Sequence, residues 1–191
     1  MMALGSNTLH AQSRVGADSS TRIARFKRDI AYGTLEGLAF AGLDQLRDEP
    51  VEWHRGWHGY GQRAASNVGE FYIQEGVTEG LAALMNRPLD YPHSPNRGTA
   101  DRISWALRAA LFDRTAKGQQ ELAIPRILGA YAGSFAQASW RPSDSNRTTT
   151  ALVNGTTSLA IGAAINLYHE FSPWSSANRC RRGGARCRRA R

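Results

Sequence analysis

The sequence holds little of what usually identifies a chemistry. Two of its 191 residues are cysteine, Cys180 and Cys187, and both stand in the terminal stretch RCRRGGARCRR. A C-x6-C pair with no histidine or further cysteine nearby falls short of the roughly four ligands of a structural zinc ion. It fits unpaired thiols or, in an oxidising compartment, a local disulfide. There is no phosphate loop, no dinucleotide-binding glycine fingerprint and no G-x-S-x-G elbow, so nucleotide-dependent and serine-hydrolase chemistries have no motif to stand on. The Glu-x-x-His pairs of carboxylate-bridged di-iron bundles are missing as well; His169 and Glu170 are adjacent and in the reverse order. Long apolar runs are equally scarce. The longest uncharged run, Thr148 to Tyr168, has 21 residues but includes eight serine, threonine and asparagine side chains. That is length enough for ~30 Å of hydrocarbon without the composition for it, and the mean hydropathy of the chain is -0.45. No run alternates as a strand for long and no long repeat recurs.

The formal net charge is +8, yet it is unevenly placed. Seven arginines follow Asn178 and no acidic residue follows Glu170, so residues 1–178 carry 17 basic and 16 acidic groups, a net of +1. The basicity belongs to a tail, which touches polyanions non-specifically and does not mark a specific nucleic-acid site. Lysine is nearly absent, two against 22 arginines, which reads as a GC-rich coding bias. At the other end, MMALGSNTLHAQS carries Leu9-His10-Ala11 before a polar Gln12-Ser13. This is similar to the cleavage-proximal end of a secretory signal peptide, although the basic start and long apolar stretch are missing. The expected division is a disordered leader over 1–24, a helical domain over 25–172 and a disordered arginine–cysteine tail over 173–191.

What is present is glycine and helical periodicity. Breakers delimit five segments expected as helices, at about 25–46, 50–85, 99–115, 124–140 and 148–171, and the fold class is therefore all-α, a compact bundle of about five helices. Small residues recur at three- to four-residue spacing: Gly33, Gly37 and Ala41 in the first segment, Gly61, Ala65 and Gly69 in the second, Gly129 and Gly133 in the fourth, Ala151, Gly155, Ser158 and Gly162 in the fifth. A glycine inside a helix costs about 1 kcal/mol relative to alanine, which close approach of helix backbones offsets. These faces are expected to pack helix on helix. Glu36, on an otherwise apolar segment, is the candidate buried carboxylate, with Arg63 the leading candidate partner and Arg102, Arg108 and Arg126 also available.

The densest patch is VEWHRGWHGYGQR, residues 51–63. On a helix, His54 and His58 at i and i+4 would share one face and form half a metal site, with Glu52, His93 or Glu170 as a third ligand. Arg55 stands where a metalloprotease helix has its glutamate. Gly56, Gly59 and Gly61 in the same stretch point instead to close packing. Trp53, Trp57, Trp105 and Phe135 are candidate walls of an apolar pocket between helices, and no cofactor is implied.

The stretches EPVEWHRGWHGYGQRAASN, RILGAYAGSFAQASWRP and INLYHEF resemble a family of short, glycine-rich, signal-bearing bacterial envelope proteins of unknown function. The shared pattern falls on Glu52, Trp53, Gly56, Gly59, Tyr60, Arg63, Ala65 and Ser66, and the resemblance covers residues 29 to 172. It implies export and a helical fold and brings no activity; the histidines are not among the fixed positions of that pattern. The short leader and the arginine–cysteine tail depart from it. The leading expectation is a non-enzymatic protein of the periplasm or cell envelope, membrane-associated, with a structural or interaction role and membrane lipid or another envelope protein as partner. The alternatives are a small-molecule or lipid-binding bundle and a metal-dependent enzyme using His54 and His58.

Overall fold

The computed structural model describes residues 19–172 apart from 97, 115–118 and 143–145. The expected leader up to residue 18 and the tail from residue 173 onwards, with both cysteines, lie outside the described residues. Five α-helices are present among them: α1 (Ser19–Arg47), α2 (Trp57–Leu84), α3 (Thr99–Arg108), α4 (Ile124–Trp140) and α5 (Arg147–Phe171). A one-turn 3-10 helix, Val51–Trp53, precedes α2, and a two-stranded antiparallel hairpin, β1 (Phe112–Arg114) and β2 (Gln120–Leu122), joins α3 to α4. The fold is an all-α bundle. Packing is sequential in space: α1 lies on α2, α2 on α4, α4 on α5, and α5 on α3.

Local chemistry sets the element ends. α1 and α2 both stop at a left-handed residue, Asp48 (φ 59°) and Asn86 (φ 51°). Beyond each, the next amide closes back on the last turn, Glu49 N to Asp44 O at 2.9 Å and Arg87 N to Ala82 O at 2.8 Å, the six-to-one closure of a Schellman cap. α4 carries Pro125 in its first turn, where no amide is needed. α5 is capped by Asn146, whose side chain accepts the Thr148 amide at 3.0 Å. Two boundaries differ from expectation. The second helix starts at Trp57 rather than Pro50, because His54 (φ 48°) and Gly56 (φ 107°) hold backbone that a right-handed helix cannot run through. The third ends at Arg108, and the hairpin pairs Phe112 with Leu122 and Asp113 with Glu121.

The interior is unusual in its residue types. Every buried apolar residue in the core is alanine, from Ala41 and Ala64 on the α1–α2 side to Ala130 and Ala151 between α4 and α5, and the largest fully buried side chains are Arg63, Gln137, Glu170, Pro125 and Ser134. Among the described residues no leucine, isoleucine, valine, methionine, phenylalanine, tyrosine or tryptophan is fully buried; most face outward.

The glycines seat the crossings. A Cβ at Gly33 would collide with the Phe71 ring, and one at Gly37 would stand 3.1 Å from the Val68 backbone nitrogen, so α1 rides on α2 there. At the α2–α4 crossing a Cβ on Gly129 would stand 2.7 Å from Gln74 O, and one on Gly133 2.8 Å from Glu70 O. Gly155 of α5 meets the Tyr131 ring of α4, 2.5 Å from a Cβ. Gly59 backs onto the carbonyls of Trp53 and His54. The other four glycines expected at packing faces are not in crossings. Gly61 and Gly162 have no neighbour within 4 Å, Gly69 has only Trp140 at an ordinary 3.7 Å, and Gly56 lies before the helix in a left-handed turn. The physical reason is geometric: four-residue spacing places Gly61 and Gly69 on one line of α2, and that line meets only the Trp140 side chain at the end of α4 rather than a neighbouring backbone.

Candidate functional site

Arg63 sits in the second turn of α2 with its side chain wholly buried. Its Nε donates to Glu49 O at 2.8 Å, one terminal nitrogen to Gln45 Oε1 and His54 O, both at 2.7 Å, and the other to Pro50 O at 2.9 Å and Asp48 Oδ1 at 3.5 Å. The fork thus gathers the whole link between α1 and α2. The expected Glu36–Arg63 pair is not formed. Glu36 stands nine residues before Gln45 on α1, roughly 14 Å along the axis, while α2 begins against the far end of α1. Glu36 is half-buried, outside any ion pair among the described residues, with its carboxyl pushed up by burial.

The same link undoes the metal half-site. His54 and His58 do not share a helix: His54 is an exposed left-handed residue whose carbonyl serves Arg63, and His58 is an exposed residue in the first turn of α2. The i, i+4 geometry requires helix at both positions. The aromatic pocket is not formed either. Trp57 is 90% exposed with its edge on Tyr60. Trp53 lies beneath the Arg141 guanidinium at 5.8 Å, Trp105 donates to Pro92 O at 2.6 Å on α3, and Phe135 faces outward on α4.

A polar centre that the sequence did not reveal surrounds Glu170. This carboxylate, 1% exposed at the end of α5, accepts from Tyr91 Oη (3.0 Å), the Ser94 amide (3.0 Å) and Arg102 Nε (2.7 Å), and lies 3.3 Å from His93 Nδ1. Arg102 also bonds the Glu170 carbonyl and lies over the Phe171 ring at 4.4 Å. Burial pushes the carboxyl up, but the Arg102, Ser94, Tyr91 and His93 hydrogen bonds together hold it below the usual carboxylate range. Burial and the neighbouring Glu170 push the Tyr91 hydroxyl well above its ordinary value. His93 and Glu170, proposed as third metal ligands, thus meet each other and neither histidine of the 51–63 stretch. The centre binds the proline-rich 85–98 loop to α3 and α5.

A polar seam also crosses the helices. Ser134 donates to Glu70 (2.8 Å), Gln137 to Asn67 (3.1 Å), Trp140 to Ser66 (3.1 Å) and Asn154 of α5 to Gln137 (3.4 Å). Arg141 reaches Asp44 of α1 at 3.2 Å. Between α1 and α2, carboxylate oxygens of Asp29, Glu75 and Glu79 lie within 4.8 Å of one another, the one grouping among the described residues with metal-ligand spacing. Arg25, itself buried, already holds Glu79 at 3.0 Å and stands 3.4 Å from Asp90. Burial first, and then Asp29 and Glu79, push Glu75 up to about 7. An open cleft of about 360 Å³ lies between the 3-10 turn and the α4–α5 junction, lined by Gln137, Arg141, Arg147, Thr150 and Asn154. Glu49 and Glu52 also line it, and no histidine among the described residues does.

The largest chemical anomaly is on the outside. Large apolar side chains stand exposed on every helix, among them Leu35 and Leu46 of α1, Leu84 of α2, Leu107 of α3, Leu128 of α4 and Val153 of α5. No helix among the described residues is long and apolar enough to cross a membrane. No family model, no curated protein and no solved structure matches the chain.

Proposed function

We propose that the protein is a non-enzymatic component of the cell envelope that binds an apolar surface, a membrane face foremost, through its outward-facing apolar side chains. The observation that carries this reading is the inverted distribution of residues: alanine, glycine and hydrogen-bonded polar groups inside, leucine, isoleucine and aromatics outside. Large exposed apolar patches mark interaction sites in proteins. The buried ionic groups support a structural role for the interior, since Arg63 and Glu170 are engaged on several sides by fixed partners. The signal-like leader supports export. Cell fractionation of the full chain tests the reading. The protein is expected to pellet with membranes and to stay with them in an alkaline carbonate wash; recovery in the soluble fraction throughout would refute it.

A further inference from the structure

The outward side of α1 differs in composition from an ordinary exposed surface. Of the residues between Arg22 and Arg47, fourteen are exposed; eleven are apolar or aromatic and the other three are Lys27, Arg28 and Arg47. None is acidic and none is a neutral polar residue. The three acids of the helix, Asp29, Glu36 and Asp44, are all turned partly inward, and Asp44 is held by Arg141 and Asn67. Ile23, Tyr32, Leu35, Leu43 and Leu46 are the most exposed large apolar side chains of the helix, with Leu46 78% exposed. Between Arg28 and Arg47 no exposed residue of the helix is charged, a length of roughly 24 Å from Ala31 to Leu46 at 1.5 Å per residue. Arg28 also bonds Asp29 at 3.1 Å, yet its side chain is 60% exposed. Among the exposed acids, Asp90 stands 3.4 Å from Arg25 near the start of the helix, and Glu49 and Glu52 stand beyond its end.

Resting on the membrane reading above, we infer that the outer side of α1 is the lipid-contacting face and that it lies in the interfacial plane of an anionic bilayer. An apolar stripe bracketed by basic residues is the composition of an interfacial helix, with the apolar side chains entering the acyl boundary and the long cationic ones reaching back to headgroup phosphates. The charges also discriminate between occupants. Every exposed charge on α1 is positive, so pairing two copies of the helix, parallel or antiparallel, sets like charge beside like; anionic headgroups supply the opposite sign. Each basic residue near such a surface adds about a fivefold preference, and three together add on the order of a hundredfold.

Vesicle flotation tests this, using phosphatidylcholine alone and phosphatidylcholine with phosphatidylglycerol in equal parts. The full chain is compared with Leu35→Glu/Leu46→Glu and with Lys27→Gln/Arg28→Gln/Arg47→Gln. All five positions are exposed, so helix content by circular dichroism is expected to be unchanged. The arginine-rich tail is common to the three proteins, and only differences between them report on α1. The glutamate pair is expected to lower binding to mixed vesicles at least tenfold. The glutamine triple is expected to narrow the anionic-over-neutral ratio on the order of a hundredfold. If both variants float like the parent, α1 is not the lipid face although the membrane reading stands. If the parent binds neither vesicle, the membrane reading itself fails. If the parent instead sediments as a dimer that the glutamate pair dissociates, the occupant of the stripe is a second copy and the inference is overturned.

Discussion

Glu75 offers the sharpest test of how this interior is held. It sits on α2 against α1, with burial as the main cause and Asp29 and Glu79 as secondary causes of a carboxyl that titrates at about 7 rather than 4.5. The folded state therefore keeps a proton that the unfolded chain releases between these values. Stability contributed by that proton is fully present below 4.5 and is lost as pH rises through about 7. A displacement of that size corresponds to at most about 3 kcal/mol, and solvent reaching the open side of the group reduces it to about 1–3 kcal/mol. Glu75→Gln keeps the shape and removes the charge at every pH. At pH 8 the variant is expected to be more stable than the parent by that amount, roughly 2–12 °C in Tm for a domain of this size. At pH 4.5 the two should melt together. Thermal denaturation followed by circular dichroism across this range measures the difference. Asp29→Asn in the parent should recover part of the same gain, because it removes one of the two repelling carboxylates. A Glu75→Gln protein no more stable than the parent at pH 8, or equally favoured at both pH values, would refute the assignment of Glu75 as a strained, buried carboxyl.

Other perturbations probe the crossings and the two polar centres. Gly133→Ala, facing Glu70 O at 2.8 Å, is expected to destabilise by about 1–3 kcal/mol, whereas Gly61→Ala, with open space around it, should stabilise by up to about 1 kcal/mol; urea midpoints compare them. Arg63→Met removes the fork that holds the α1–α2 link and should cost about 3–5 kcal/mol in the same assay. Glu170, held below its usual range by its donors, contributes stability that is present above the ordinary carboxylate range and lost on acidification. Glu170→Gln should therefore weaken the neutral-pH protein and flatten its loss of Tm at acid pH.

The helices were legible because their breakers are local: proline and asparagine after α2, proline after α4 and α5. The start of α2 was not, because Pro50 satisfies the rule for a first helical turn while the left-handed backbone at His54 and Gly56, which decides the matter, has no proline or alternation to announce it. The hairpin was equally hidden, since strands of three residues are too short to show a period. Spacing identified small-residue lines on α2, α4 and α5 but not which neighbour each line would meet. The lines on α4 and the Gly155 end of α5 meet partners, while Gly61 on α2 is left in the open. Arg63 was legible as a buried cation and its partners were not, because backbone carbonyls leave no trace in composition. The Glu170 centre was beyond reach for a different reason: its contacts join residues 68 to 79 positions apart in the chain.

The alanine-filled core has a calorimetric consequence. The heat capacity of unfolding comes from apolar surface newly exposed to water. Here the large apolar side chains already face outward and the buried ones are mostly methyl groups, so unfolding hydrates little additional hydrocarbon. The protein's heat-capacity increment should fall below the ordinary ~12–15 cal/mol/K per residue, and its free energy should vary only gently with temperature. Such a chain would approach its melting point along a shallow curve and resist cold better than a leucine-cored domain of equal length, because the force that fades on cooling was never its main support.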